Sequence, residues 1–320
     1  METPTFEGIL DAADRLTHAL PTTPSWSYPL LDARAGRRVV VKHENVQPTG
    51  AFKVRGGLTL LATLPRDARR AGLVTVSTGN HAQSIAFAAR ASGVAATIVM
   101  PADAPAFKAA AVEGLGATVV LHGCCMNEAA AHAREIAARE GRYFVDPGNE
   151  AAIVHGHGTV YLELLRQHPE VDTVYVPIGS GSGAAGAVLV RDALTPGTRI
   201  VGVQAAGAPA AHRSWTSGRI ETAGADTFAA GLATGTGFET AQRILRGGLD
   251  DFLLVTEEQL REAVHAMAVD AHTLCEGAGA AGLAGILAEP GRDGVAAFAC
   301  TGGNAGPSEL SGLARVALAA

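Results

Sequence analysis

Along this chain, short apolar blocks alternate with segments whose apolar positions recur at helical spacing. The blocks Leu73–Ser77, Ala96–Met100, Thr118–His122, Thr173–Ile178 and Ile200–Gln204 predict strands. Between and after them, His81–Arg90, Pro105–Leu115, Asn127–Arg139, Ala184–Leu194 and Glu257–His272 predict helices. The strand blocks are runs of Val, Ile and Leu, not apolar–polar alternations, as expected of parallel strands covered on both faces. This order predicts an α/β, doubly wound architecture with parallel or mostly parallel sheets covered by helices. The 39 glycines and abundant alanine suit close packing of helix on sheet. The clearest break is Asp146-Pro147-Gly148-Asn149, which predicts a crossing between two lobes.

Composition narrows the function classes. A chain of 320 residues, 48% hydrophobic, can bury a sizeable core in one large domain or two modest ones. Net charge is −6 with no basic block, so nucleic acid and anionic membrane are not expected partners. Met1–Leu10 holds no apolar run, and no stretch is apolar for long enough to cross a bilayer, so neither a signal peptide nor a membrane span is expected. Cys124, Cys125, Cys275 and Cys300 show neither zinc spacing nor a disulfide framework, which points to reduced thiols and a cytoplasmic location.

Candidate chemistry begins where Val174–Ile178 runs into Gly179-Ser180-Gly181-Ser182-Gly183 ahead of a helix. Small residues there let backbone N–H groups reach an anion at the helix N-terminus, which suits a phosphate. Gly181-Ser182-Gly183-Ala184-Ala185-Gly186 also matches the dinucleotide fingerprint, so an NAD-dependent oxidoreductase is a rival. That rival needs an acid at the end of the next strand, where Gln204 stands instead. A tight turn needed only for packing is the third reading.

Two further segments stand out. In Pro48-Thr49-Gly50-Ala51-Phe52-Lys53, a turn delivers Lys53 to the start of a helix. A lysine partly withdrawn from water beside another cation loses basicity and can act as nucleophile or base, and Arg55 is near enough in sequence to contribute. An ordinary surface cation is the alternative. Ser77-Thr78-Gly79-Asn80-His81-Ala82-Gln83 joins a strand to a helix, where backbone N–H groups and the Ser77 hydroxyl can cradle a carboxylate or simply cap the helix. His155-Gly156-His157 invites a metal reading, but residues two apart do not share a helix face.

Together these segments resemble the serine/threonine dehydratase and serine racemase branch of the fold-type II pyridoxal-phosphate (PLP) enzymes. Five motifs occur in family order from Pro48 to Asn304, nearly the whole chain. Beyond those already quoted, Glu276-Gly277-Ala278-Gly279-Ala280-Ala281 resembles the segment beside the cofactor ring, and Thr301-Gly302-Gly303-Asn304 the one that meets the pyridine nitrogen. The resemblance implies the two-lobed, tryptophan synthase β-like fold. Residues 1–65 and 147–320 would form the large PLP-binding lobe and 66–146 a small inserted one. It implies Lys53 as Schiff-base lysine and catalytic base. Asn80, Gly179, Ser180, Gly181, Ser182, Gly183, Glu276 and Thr301 would join it around the cofactor. Ser77, Thr78, Asn80, His81 and Gly148 would line the substrate, with Thr78 offering a hydroxyl on the ring face opposite Lys53. A homodimer is expected on the same ground.

Departures from the family pattern refine the expectation. Ser180 and Ser182 interrupt a loop that is usually glycine and could donate to the phosphate. Ala230-Gly231 lacks the acid of the divalent metal site found in many relatives, so no metal is expected. His157 stands where relatives have glutamine. Gly148 replaces a larger residue and predicts an enlarged pocket for a bulkier or more polar β-hydroxy amino acid. The implied activity is an ammonia-lyase that converts such an amino acid to a 2-oxo acid and ammonia by α,β-elimination. An amino-acid racemase, a β-replacement synthase and a non-catalytic PLP- or amino-acid-binding protein are the alternatives.

Overall fold

The computed structural model describes residues 2–316, with side chains as far as Ser311. Its ten strands are β1 (Ser25–Ser27), β2 (Val39–His43), β3 (Leu73–Val76), β4 (Ala96–Met100), β5 (Thr118–Leu121), β6 (Tyr143–Phe144), β7 (Val171–Pro177), β8 (Arg199–Ala205), β9 (Asp251–Val255) and β10 (Val295–Cys300). They form two sheets. One has six strands in the order β1-β2-β10-β7-β8-β9, and the other four in the order β5-β4-β3-β6. Every pairing is parallel except β1 with β2. The predicted α/β fold with mostly parallel, helix-covered sheets is what the chain adopts.

The continuous apolar runs have the expected cause. Along β10, Ala296, Phe298 and Cys300 pack into one core layer, while Ala297 and Ala299 pack into the layer on the opposite face. Val39 and Val41 of β2 likewise face the first layer and Val40 the second. A strand covered on both sides has no water-facing side on which polar residues could alternate.

Several elements differ from expectation. The strands β2 and β10, neighbours in the large sheet, carry weak sequence signals: β2 ends on Lys42 and His43, and β10 is mostly alanine. The helix expected to reach His272 ends at Asp270, and His272 takes a φ of +50° that no helical residue adopts. Among the described residues, no helix is long and apolar enough to cross a membrane.

Topology then places the chemistry. In parallel sheets, segments leaving the C-terminal ends of strands gather along one edge, where α/β proteins bind ligands. The adjacent strands β2, β10 and β7 lead to the Lys53 segment, to Thr301 and to the Gly179–Gly183 loop respectively. In the smaller sheet, β3 leads to Ser77–Asn80.

Candidate active site

Lys53 opens the helix Lys53–Thr63. The turn before it depends on Gly50, whose φ is +68°; a Cβ there would lie 2.5 Å from Asn304 Oδ1. Both the left-handed backbone and this close approach require glycine. Asn304 Nδ2 donates to the Thr49 carbonyl at 2.8 Å, Phe52 N–H to the Thr301 carbonyl at 2.9 Å, and Gly303 N–H to the Gly50 carbonyl at 2.8 Å. These bonds zip the Lys53 segment to the chain leaving β10, so the lysine is set by backbone and not by its own flexible stem.

The smaller sheet meets the larger one through Asn80, the first residue of the helix Asn80–Ala91. Asn80 Nδ2 donates to Glu276 Oε1 at 2.6 Å, and Asn80 Oδ1 accepts from Asn304 Nδ2 at 2.8 Å. Beside them Gly302 admits no side chain, because a Cβ there would fall 2.4 Å from Glu276 Oε1. Glu276 is buried, and withdrawal from water raises its carboxyl to about 7, against the Asn80 hydrogen bond that favours the anion. Lys53 keeps part of its surface accessible. Desolvation nevertheless lowers its ammonium to about 8, with the Glu276 charge opposing.

This corrects the expected role of Arg55. Its guanidinium clasps both oxygens of Glu44 at 2.8 Å and reaches Glu163 Oε1 at 2.7 Å. Lys42 Nζ also holds Glu163, at 2.6 Å. With its charge matched by two carboxylates, Arg55 is absent from the causes that lower Lys53; burial is the leading one. Arg55 anchors the underside of the lysine helix instead.

The phosphate-loop candidate turns through Gly181, at a φ of +86°, into the helix Ser182–Leu194. The first N–H groups of any helix lack intrahelical partners, so this turn offers donors to an anion. The Ser182 hydroxyl lies 3.4 Å from Lys53 Nζ and 3.3 Å from Ser180 Oγ. The buried Thr301 donates its hydroxyl to the Ala278 carbonyl at 3.2 Å. Ser77 Oγ accepts from Gly79 N–H at 3.1 Å, Thr78 and Gly79 are partly exposed, and nothing stands within 4 Å of where a Gly79 Cβ would be. A small anion has room over that turn.

Lys53, Asn80, Ser182, Glu276 and Thr301 are thus linked to one another directly or through Asn304 and Gly302. Two other candidates sit differently. His81 turns inward: its ring is buried, Nε2 pairs with Thr75 Oγ1 at 3.1 Å, and desolvation, followed by the Lys53 charge, lowers it to about 3. Its imidazole stays neutral and does not line the open turn. Gly148 is buried, and a Cβ there would lie 1.9 Å from Phe238 Cδ1. The expected enlargement is therefore corrected: the Phe238 ring occupies the volume that glycine vacates. Gln204, where a dinucleotide fold needs its acid, is fully buried and accepts from His212 N–H at 3.0 Å.

His155 and His157 part company, as their spacing predicts: His155 Nε2 accepts from Thr5 N–H at 3.0 Å, whereas His157 faces Ser182. Cys124, Cys125 and Glu128 place possible ligand atoms within 4.8 Å of one another, all exposed. Glu128 is already engaged there, accepting from Cys124 N–H at 2.8 Å. The sequence alone assigns Asn304 no role within its motif, and offers His157 only as a weak metal candidate and as a position where relatives have glutamine. Neither contact had a sequence signal, since the partners lie 224 and 25 residues away.

The donor set suits PLP. It combines a low-basicity amine for an aldehyde, a helix N-terminus with hydroxyls for a phosphate, an amide beside a buried carboxyl for the ring edge, and a hydroxyl for a ring nitrogen. Comparisons with known proteins agree. The family model described as "Pyridoxal-phosphate dependent enzyme" matches residues 16–308. L-threonine ammonia-lyase of Thermotoga maritima is 34% identical over 284 residues, 88% of this chain and 71% of that protein. L-threo-3-hydroxyaspartate ammonia-lyase of Saccharomyces cerevisiae is 34% identical over 288 residues, 90% of this chain and 88% of that one. The solved structure of maize serine racemase superposes with a TM-score of 0.92 at 28% identity, covering 99% of both chains. Geometry, family match and relatives converge: this chain belongs to the pyridoxal-phosphate-dependent enzymes, in their fold-type II, threonine/serine dehydratase-like branch.

Proposed function

We propose that this chain is an ammonia-lyase that eliminates the hydroxyl of a β-hydroxy amino acid, with the enamine product hydrolysing to a 2-oxo acid and ammonia. The observation that carries the reading is the Lys53 amine, lowered to about 8 by desolvation at the meeting point of the Asn80, Glu276, Ser182 and Thr301 segments. The two ammonia-lyase relatives support the reaction class. The bound cofactor supplies an electron sink for charge at the substrate's α-carbon.

The chain's own residues do the rest. Lys53 would hold the cofactor through its amine and would take the substrate's α-proton; an amine near 8 is partly neutral at working pH and can do so. The Gly179–Gly183 loop and the helix it enters hold the phosphate. Asn80 and Glu276 would hold the cofactor along one edge of its ring, and the Thr301 hydroxyl would be the group offered to its ring nitrogen. Thr301, a hydroxyl and not a carboxylic acid, would give a ring nitrogen no full proton, which would make the bound cofactor a weaker electron sink and favour elimination over a long-lived carbanion. Backbone N–H groups of Ser77–Asn80 orient the substrate carboxylate, with Gly148 and Phe238 beside the substrate side chain. In this reading residues 1–65 and 147–320 carry the cofactor, and 66–146 form the smaller lobe.

Racemisation is the second reading, supported by the partly exposed Thr78 hydroxyl and by the serine racemase likeness. β-Branching restricts that hydroxyl to few rotamers, which favours elimination. The test is a panel of β-hydroxy amino acids assayed for 2-oxo acid release, with chiral analysis of the unreacted substrate. Accumulation of the opposite enantiomer faster than 2-oxo acid would overturn the lyase assignment, and a panel with neither product would sink both.

A further inference from the structure

The Ser182 hydroxyl has three polar neighbours and one hydrogen to give. His157 Nδ1 is at 2.9 Å, Ser180 Oγ at 3.3 Å and Lys53 Nζ at 3.4 Å. Both Ser182 and His157 are almost wholly buried, so water does not complete their bonding. Lys53 as an ammonium can only donate, so toward it Ser182 must accept. His157 is held neutral, since burial, followed by the charges of Lys53 and His81, lowers it well below its usual value. A neutral imidazole carries one hydrogen. His157 Nε2 is buried without a hydrogen-bond partner, whereas Nδ1 lies against the Ser182 hydroxyl. At 2.9 Å the Nδ1 contact is the shortest of the three and the best placed to take the single Ser182 hydrogen, with Nδ1 as acceptor. The His157 ring is fixed by the Phe52 ring, centroids 4.6 Å apart, and by Gly56, where a Cβ would lie 2.5 Å from Nε2.

We infer that Ser182 donates its hydrogen to His157, turns its lone pairs toward Lys53 Nζ, and so serves as a positioning residue for the lysine, not as a donor to the cofactor phosphate. This assigns a role to two positions at which the chain departs from its family pattern, serine for glycine at 182 and histidine for glutamine at 157. Neither departure is meaningful alone. A serine without His157 could turn its hydrogen toward Ser180 or the phosphate, and His157 without Ser182 would bury a nitrogen with no donor. The inference rests on Lys53 as the cofactor lysine and α-proton base. Ser182 favours the charged form of Lys53, as does Glu276; the rings of His81 and His157, which both feel the Lys53 charge, are neutral.

Three readouts test it in the cofactor-loaded full chain. In Ser182→Ala, the ammonium loses an acceptor, so the rising limb of kcat against pH should move down by about half to one pH unit. His157→Leu should move it the same way, and the double variant no further than Ser182→Ala. His157→Gln keeps a side-chain acceptor and should restore the wild-type profile, which a merely packing role would not explain. Nitrogen-15 NMR of labelled histidine should show His157 neutral, with Nε2 protonated, between about pH 6 and 9. An Nδ1-protonated ring, or one titrating near its ordinary value, overturns the inference. So does a Ser182→Ala variant whose cofactor affinity falls at least about tenfold while the pH limb stays put, since the hydroxyl would then serve the phosphate. Borohydride trapping of cofactor on a lysine other than Lys53 defeats the underlying site reading instead, and is separately visible by peptide mapping.

Discussion

Asn80 donates to Glu276 across 2.6 Å, joining a helix of the four-stranded sheet to a segment packed against the six-stranded one. The bond partly offsets the burial of a carboxyl that is raised to about 7. A carboxyl raised in the folded state binds its proton there when the unfolded chain has already released it. Its favourable contribution is full below the unfolded value of 4.5 and is lost as pH rises through about 7. The cofactor-free chain should therefore lose stability from this group between about pH 4.5 and 7. Glu276→Gln keeps an acceptor for Asn80 and should flatten that part of the profile in thermal unfolding. An unchanged pH dependence would show that Glu276 ionises freely.

Lys53→Ala should remove the visible cofactor chromophore and reduce turnover by at least about 10²–10⁴-fold, the usual contribution of a positioned acid–base group. In the wild type, kcat should rise with pH through about 8, because only the neutral amine takes a proton. A profile flat from pH 6.5 to 9.5 would place the proton transfer elsewhere.

Phe238 fills the space beside Gly148, so the two positions should behave as one wall. Gly148→Phe should destabilise the chain, because its side chain must displace a ring that already occupies its path. Phe238→Ala should open the site and raise kcat/KM for an aryl-serine relative to threonine. Each methylene of pocket space is worth about 1–3 kcal/mol of discrimination, so a shift of tenfold or more is expected. Equal losses for both substrates would take Phe238 out of the substrate wall.

Arg55→Leu should cost about 3–5 kcal/mol in denaturant unfolding, since it leaves buried Glu44 without its main counter-charge. Burial pushes the Glu44 carboxyl up, but the charge and hydrogen bonds of Arg55 outweigh it and hold the group below its usual range. That stability is present above the unfolded carboxyl value and lost as pH falls through the folded one. The variant should thus lose the acid-side steepness of the wild-type stability curve. A loss below about 1 kcal/mol would mean that water enters to solvate the pair.

Much of this protein is legible in its sequence, and the reason is locality. Parallel strands covered on both faces must be continuous apolar runs, so β3, β4 and β7 are visible in the chain itself. The Lys53, Asn80, Gly179–Gly183, Glu276 and Thr301 motifs are contiguous, because each fits a turn at one strand end or helix start. What lies across the fold is not written locally. Alanine-rich β10 becomes a strand because β2 and β7 flank it, and propensity yields to that pairing. Arg55 looks like a neighbour of Lys53 in sequence, but Glu44 and Glu163 claim its charge. Gly148 reads as missing volume until Phe238, 90 residues on, fills it. Ser182 reads as a phosphate donor until His157 takes its hydrogen. Local periodicity determined the fold class, and the order of contiguous motifs, through the family they resemble, pointed to the lysine; only tertiary packing decided which charges cancel, which cavities close and where a single hydroxyl points, because those depend on groups far apart in sequence.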